Sequence, residues 1–243
     1  MRFFFNFTFC LFVFSLSAKA STLELLTEDD APHNMMKNGQ LVGIATEKLN
    51  EAFKRANVSQ HMELVPWARA YQSALTQTNY CAFSAARTPE RENLFKWIGP
   101  IASMDWVLYT RADNIAAKPN KLEDIHSQTI GGYLQDVISV WLANQGYKVE
   151  AAPNDAVNPK KLMAGHINYW ASSRPRATAM LDKEGLSKKI IPIFAFGHTD
   201  LYLACNTSVS EEVVLKLNLA LKKMKDDGTS TKIDARYSHW PNE

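Results

Sequence analysis

Apolar and polar positions along this chain follow two periods in turn. Leu23 to Thr27 is a short apolar run of strand length, and Gly39 marks a turn before Gln40 to Val42. From Ala45 apolar side chains recur at Leu49, Ala52, Phe53 and Ala56, the spacing of one helix face. Met62 to Val65 reads as a second strand. Pro66 can open a helix through Leu75, because a first-turn residue has no intrahelical use for the N–H that proline lacks. Tyr80 to Ser84 is a third strand. A strand–helix–strand–helix–strand rhythm implies a mainly parallel sheet covered by helices.

The rhythm then restarts. Trp106 to Thr110 reads as a strand, followed by a polar connection with Pro119 and a turn at Leu122-Glu123-Asp124-Ile125. Strands are predicted at Thr129 to Gly131, Lys148 to Ala151, Ile167 to Ala171, Ile190 to Ile193 and Leu201 to Cys205. Helices are predicted at Val137 to Gln145, ended by Gly146, at Pro159 to Ala164, and at Pro175 to Glu184, ended by Gly185. The last long helix runs from Ser210 to Asp226, with Val213, Val214, Leu217, Leu221 and Met224 on one face and Gly228 behind it. No repeat or low-complexity stretch interrupts this order, and two α/β lobes suit it better than one.

Charge changes the picture mainly at the start. The 243 residues carry 27 Lys and Arg against 25 Asp and Glu, and the surplus of two is Arg2 and Lys19. Met1-Arg2, an apolar stretch from Phe3 to Leu16 and Ala18-Lys19-Ala20 together form an export leader cut after Ala20. The rest of the chain is then neutral, so no basic field points to nucleic acid or to an anionic membrane. Export to the periplasm as a soluble protein is the expectation. Hydrophobic residues make up 46% and charged ones 21%, the composition of a globular protein rather than a disordered or fibrous one. Beyond the leader only Cys81 and Cys205 remain, and spacing alone leaves open whether they are bonded or are two buried thiols. Six scattered histidines offer no paired metal-ligand spacing, and neither a metal nor a cofactor is expected.

Several segments together suggest a family. Asn38-Gly39-Gln40-Leu41-Val42-Gly43 before an amphipathic helix resembles the start of the family 3 solute-binding proteins, the polar amino-acid-binding type of ABC transporters. Thr88-Pro89-Glu90-Arg91, before Trp97-Ile98-Gly99-Pro100-Ile101, resembles that family's T-x-x-R segment and the hinge strand after it. Lys121 to Ile125 resembles the turn that opens its second lobe. Lys225 to Thr229, with a terminal aromatic helix, resembles its C-terminus. The likeness covers nearly all of the chain after the leader, in order.

This resemblance implies an α/β, two-lobed periplasmic binding protein fold of type II. Each lobe would be a doubly wound sheet flanked by helices, and two crossing hinge strands would join them. Lobe one would be residues 21–110 and 198–243, and lobe two residues 111–197. The ligand would lie between them, at the carboxyl ends of the strands and near helix N-termini. In that topology the strands of Cys81 and Cys205 lie side by side, which makes a disulfide plausible.

The resemblance also assigns candidate residues. Arg91 would hold a ligand carboxylate through its planar fork of donors, helped by backbone groups of Ser84 and Ala86. Trp67 would wall the cleft or pack in the core. Arg69 and Arg87 lie near the same elements, with plain surface placement as the alternative. Tyr133, Gln135 and Asp136 match the family's ligand loop in the second lobe, although Asp136 also suits a helix N-cap. The family's amino-acid binders carry an aspartate for the ligand ammonium where this chain has Ser173, flanked by Arg174. Glu28 and Asp29 could supply the missing charge. Otherwise the ligand is a carboxylate without an ammonium, met by Arg91, Arg87, Arg69 and Arg174.

The expected function is capture of a small polar ligand, an amino acid or related carboxylate, and its delivery by a monomeric protein to an inner-membrane ABC permease. Presentation to a chemoreceptor or sensor kinase is the alternative within the binding class. A dehydratase-like enzyme on the same fold is the third reading. Such chemistry needs a general acid, which Ser173 cannot be and for which only Glu28 or Asp136 remain, so no enzyme activity is expected.

Overall fold

The computed structural model describes residues 22–117 and 119–237, so the leader and the last six residues lie outside those described. In chain order the elements are β1 (Leu23–Thr27), β2 (Met35–Lys37), β3 (Gln40–Val42), α1 (Ile44–Ala56), β4 (Gln60–Leu64), α2 (Trp67–Thr76), β5 (Tyr80–Ala86) and β6 (Lys96–Arg111). Then follow β7 (Thr129–Tyr133), α3 (Val137–Asn144), β8 (Lys148–Ala152), α4 (Asn158–Met163), β9 (Tyr169–Ser173), α5 (Arg174–Lys183), β10 (Ile190–Cys205), α6 (Glu211–Asp226) and α7 (Thr229–Arg236). Eight strands form one sheet in the order β4-β1-β5-β10-β6-β9-β7-β8, and β2 and β3 form a separate hairpin.

The sheet has two parallel ends and an antiparallel middle. β4, β1 and β5 run parallel, as do β8, β7 and β9. Between them β10 and β6 run antiparallel to each other and to their outer neighbours. Each end is covered on both faces. α1, α6 and α7 pack on one face of the β1–β5 end around Leu49, Phe53, Phe83 and Leu217, while α2 covers the other with Trp67 and Ala70. At the other end α3 packs on one face with Ile138 and Leu142, and α5 on the opposite one with Ala177 and Leu181. Fully burying one such aliphatic or aromatic side chain contributes about 1.5–3 kcal/mol.

The two middle strands differ from the sequence expectation. β6 and β10 are each 16 residues long, where the sequence pattern shows short pieces separated by Gly and Pro. The breakers survive because the pairing slips at Pro192/Phe194, Ala195/Gly197 and Leu201/Leu203, and a bulge tolerates a residue that cannot keep the ladder regular. Gly197 is needed there for space: a Cβ would lie 2.4 Å from the Trp106 ring. The sheet as a whole is mixed rather than mainly parallel. β9 begins at Tyr169 and reaches Ser173, two residues later than the sequence suggests at each end. Cys81 and Cys205 are register partners on β5 and β10, and their sulfurs are bonded. Among the described residues no helix is long and apolar enough to cross a membrane.

Candidate functional site

The carboxyl ends of β1, β5, β7 and β9 converge on one cleft. β1 delivers Glu28 and Asp30, β5 ends at Ser84 and Ala86, and the turn Pro89–Leu94 carries Arg91. Trp67, the first residue of α2, and Met104 of β6 complete that side. Across from them stand Asp136 and Val137 at the start of α3 and Arg176 in the first turn of α5. These residues enclose a cavity of only about 20 Å³, room for roughly one water molecule.

The loops are held by local caps. Asp136 Oδ1 accepts from the Ile138 amide at 3.0 Å and so caps α3. Ser173 Oγ accepts from the Arg176 amide at 3.4 Å and caps α5. Two residues at the cleft stand in the left-handed region, Ser84 at φ 60° and Gln135 at φ 62°. Each position has a use. The Ser84 hydroxyl donates to Asn34, whose amide donates to the Glu28 carbonyl. The Gln135 carbonyl accepts from Arg91 at 3.1 Å.

The two arginines of the cleft are in different situations. Arg91 donates to the carbonyls of Ala86 (3.4 Å) and Gln135, lies over the Tyr71 ring at 5.1 Å, and forms no ion pair among the described residues. At most two of its five N–H donors are in use, so a carboxylate can still be gripped. Arg176 is 8% exposed and surrounded by acids. Its Nε meets Asp30 at 2.9 Å, one terminal nitrogen meets Glu28 at 3.1 Å and the other meets Asp136 at 3.5 Å. Its guanidinium lies over the Tyr133 ring at 5.5 Å, and the Tyr133 hydroxyl donates to Glu28 at 2.9 Å. A cation in the first turn of a helix opposes the helix dipole, and these acids are what offset it.

The protonation of the acids follows from that crowding. Burial pushes the Glu28 carboxyl up to about 7, against the pull of the Arg176 guanidinium. Asp136 is raised by burial too, again opposed by Arg176. Burial would also raise Asp30, but Arg176 and His33 outweigh it and hold that carboxyl well below the usual range. Burial works against the Arg176 cation, and Asp30, Glu28 and Asp136 together outweigh it.

Of the residues singled out in the sequence, Arg91, Ser84, Ala86, Trp67, Glu28 and Asp136 line the cavity, and Tyr133 and Gln135 touch those that do. Others lie elsewhere. Asp29 is exposed, and its neighbour Asp30 is the acid that turns inward. Arg87 is exposed, paired with Glu92 and stacked on Trp97 and Tyr202. Arg69 and Arg174 are exposed and outside the cavity lining, so no cluster of four arginines forms. Ser173 is buried as a helix cap. Sequence reasoning missed Arg176, Asp30, Met104 and Val137. The spacing Ser173-Arg174-Pro175-Arg176 was an available signal, since a capped helix start directs its third residue back toward the strand end.

Comparison with known proteins adds the family. The model for bacterial extracellular solute-binding proteins, family 3, matches residues 23–239. The L-cystine-binding protein TcyA of Bacillus subtilis (strain 168) is 22% identical over 198 residues, covering 82% of this chain and 73% of that protein. A histidine kinase sensor domain with similarity to periplasmic binding proteins matches with a TM-score of 0.81 at 15% identity, over 90% of this chain and 96% of that one. The arginine-, lysine-, histidine-binding protein ArtJ of Geobacillus stearothermophilus matches with a TM-score of 0.76 at 18% identity, over 92% and 96%. The chain belongs to the bacterial extracellular solute-binding proteins, family 3, and has the type II periplasmic binding protein fold.

Proposed function

We propose that this chain is an exported binding protein for a small amino acid or close relative, captured between two lobes and handed to an inner-membrane ABC permease. Lobe one is residues 21–110 with 198–243, lobe two is residues 111–197, and the leader is removed after Ala20. The observation that carries the reading is the polarity of the cleft. Among the described residues Arg91 has no acidic partner, and three carboxylates line the same cleft. A ligand carboxylate would take Arg91, with Ser84 and Ala86 beside it. The ligand ammonium would turn to Asp136, whose Oδ2 is held only at 3.5 Å.

The relatives support the chemistry, since TcyA is named for L-cystine and ArtJ for arginine, lysine and histidine. A cavity of about 20 Å³ is too small for any amino acid, so entry requires the lobes to part, with β6 and β10 as the crossing segments. A second reading, that the liganded protein reports to a membrane sensor, is favoured by the likeness to a histidine kinase sensor domain.

Calorimetric titration of residues 21–243 against the L-amino acids and against ammonium-free carboxylates tests the proposal. At least one amino acid should bind, and Arg91→Ala should weaken it by about 100-fold or more, the effect of removing one partner of a desolvated charge pair. Retained affinity in Arg91→Ala, or binding of ammonium-free carboxylates alone, would overturn it.

A further inference from the structure

Five of the six oxygens of the three cleft carboxylates are engaged from within the chain at 3.2 Å or less, and the sixth, Asp136 Oδ2, meets Arg176 only at 3.5 Å. Glu28 meets Arg176 and the Tyr133 hydroxyl, Asp30 meets Arg176 and His33, and Asp136 meets the Ile138 amide and Arg176. Three acids gathered over an aromatic face form a receptor for a guanidinium, whose flat fork pairs with carboxylates and stacks on a ring. The guanidinium it holds belongs to the protein. Asp30 and Glu28 follow β1, whereas Arg176 and Asp136 lie on the opposite side of the cleft, so the contact also bridges its two walls.

We propose that Arg176 determines ligand choice by acting as a tethered occupant of a guanidinium pocket. With its own cation in place, the cleft takes ligands whose side chain bears no positive charge. With Arg176 shortened, the same acids and Tyr133 accept a free guanidinium compound. The consequence for amino-acid choice rests on the reading of the cleft given above, but the pocket itself does not.

The pocket is tested with methylguanidinium, which has no carboxylate and so makes no demand on Arg91. About 10 mM of it should raise the melting midpoint of Arg176→Ala by about 2–4 °C through binding to the folded state. Wild type should stay unmoved, as should Arg176→Lys, which keeps a charge in the pocket. L-arginine should bind Arg176→Ala at least tenfold more tightly than wild type. A folded Arg176→Ala that methylguanidinium leaves unmoved would overturn the proposal, as would a wild type that responds equally.

If Arg176→Ala does not fold, Arg176→Gln takes its place. It keeps donors toward Asp30 and Glu28 but no charge, and the same methylguanidinium criterion applies to it. The two readings fail separately. Stabilisation of the variant by methylguanidinium, with no amino acid bound by wild type, upholds the pocket and removes the amino-acid reading. Neutral amino acids bound by wild type, with a folded variant deaf to methylguanidinium, do the reverse.

Discussion

Two regions of this molecule bury carboxylates, and they do so in opposite ways. Asp155, 3% exposed at the start of a short turn between β8 and α4, accepts from Asn158 Nδ2 at 2.8 Å, Trp170 Nε1 at 2.9 Å and Ser172 Oγ at 3.0 Å. All three donors are neutral, and all come from adjoining elements, α4 and β9. Glu28, Asp30 and Asp136 instead share one long, charged side chain that crosses the cleft. Fixed neutral donors satisfy an anion without any part having to move. A tethered cation satisfies several anions at once and can leave them together. The first arrangement holds one half of the protein in shape, and the second sits where the halves meet and a ligand is expected.

Three measurements bear on that contrast. Asp155→Ala should have the largest effect, lowering stability in urea denaturation by about 3–5 kcal/mol, because three buried donors lose their partner together. A loss under about 1 kcal/mol would mean that solvent reaches those donors and the network is no anchor.

The acid end of the cleft should respond to pH. Glu28 has a folded-state pKa near 7 against 4.5 for the unconstrained group, so the folded protein holds this proton more tightly than the unfolded chain. The stability that follows is present in full at low pH and is lost as pH rises through the folded value. Relative to Glu28→Gln, wild type should therefore lose about 2 kcal/mol between about pH 5 and pH 8, read from denaturation midpoints across that range. Parallel profiles would mean that Arg176 keeps Glu28 ionised throughout that range.

Tyr133→Phe should have the smallest effect, a loss of about 1 kcal/mol for the hydroxyl bond to Glu28. It should also move the pH window of Glu28 upward, since that bond favours the ionised carboxyl. An unmoved window would show that the Tyr133 ring matters to the cleft and its hydroxyl does not.

Most helices and several short strands were legible because their apolar periods are clean, whereas β2 was not read and β9 was read two residues early. The face of Leu217, Leu221 and Met224 on α6 is buried as its spacing demands, and the Leu23–Thr27 run is β1 to the residue. The long strands were legible only in pieces, since Gly99, Pro100, Pro192 and Gly197 read as breaks until the bulges that absorb them are seen. In the cleft, residues tied to strand ends and caps, such as Ala86 and Asp136, could be placed from the sequence. Charges on exposed turns could not be placed, because the sequence does not say which way a long side chain leaves the surface. Asp29 and Asp30 differ by one position, and one faces solvent while the other is buried. Arg176 was hidden for a similar reason: Arg174 is two residues away, of the same type, and exposed.

The position of β10 between β5 and β6 has a consequence for how the molecule is made. β7, β8 and β9 with α3 to α5 lie in one unbroken stretch between the two crossing strands. In chain order that half is complete before β10, the second neighbour of β5, has been made. Cys205 follows Cys81 by 124 residues, and no strand made before β10 carries another cysteine. The bond between them can therefore exist only after β10 has been made, and its presence records that the last strand has reached its slot beside β5.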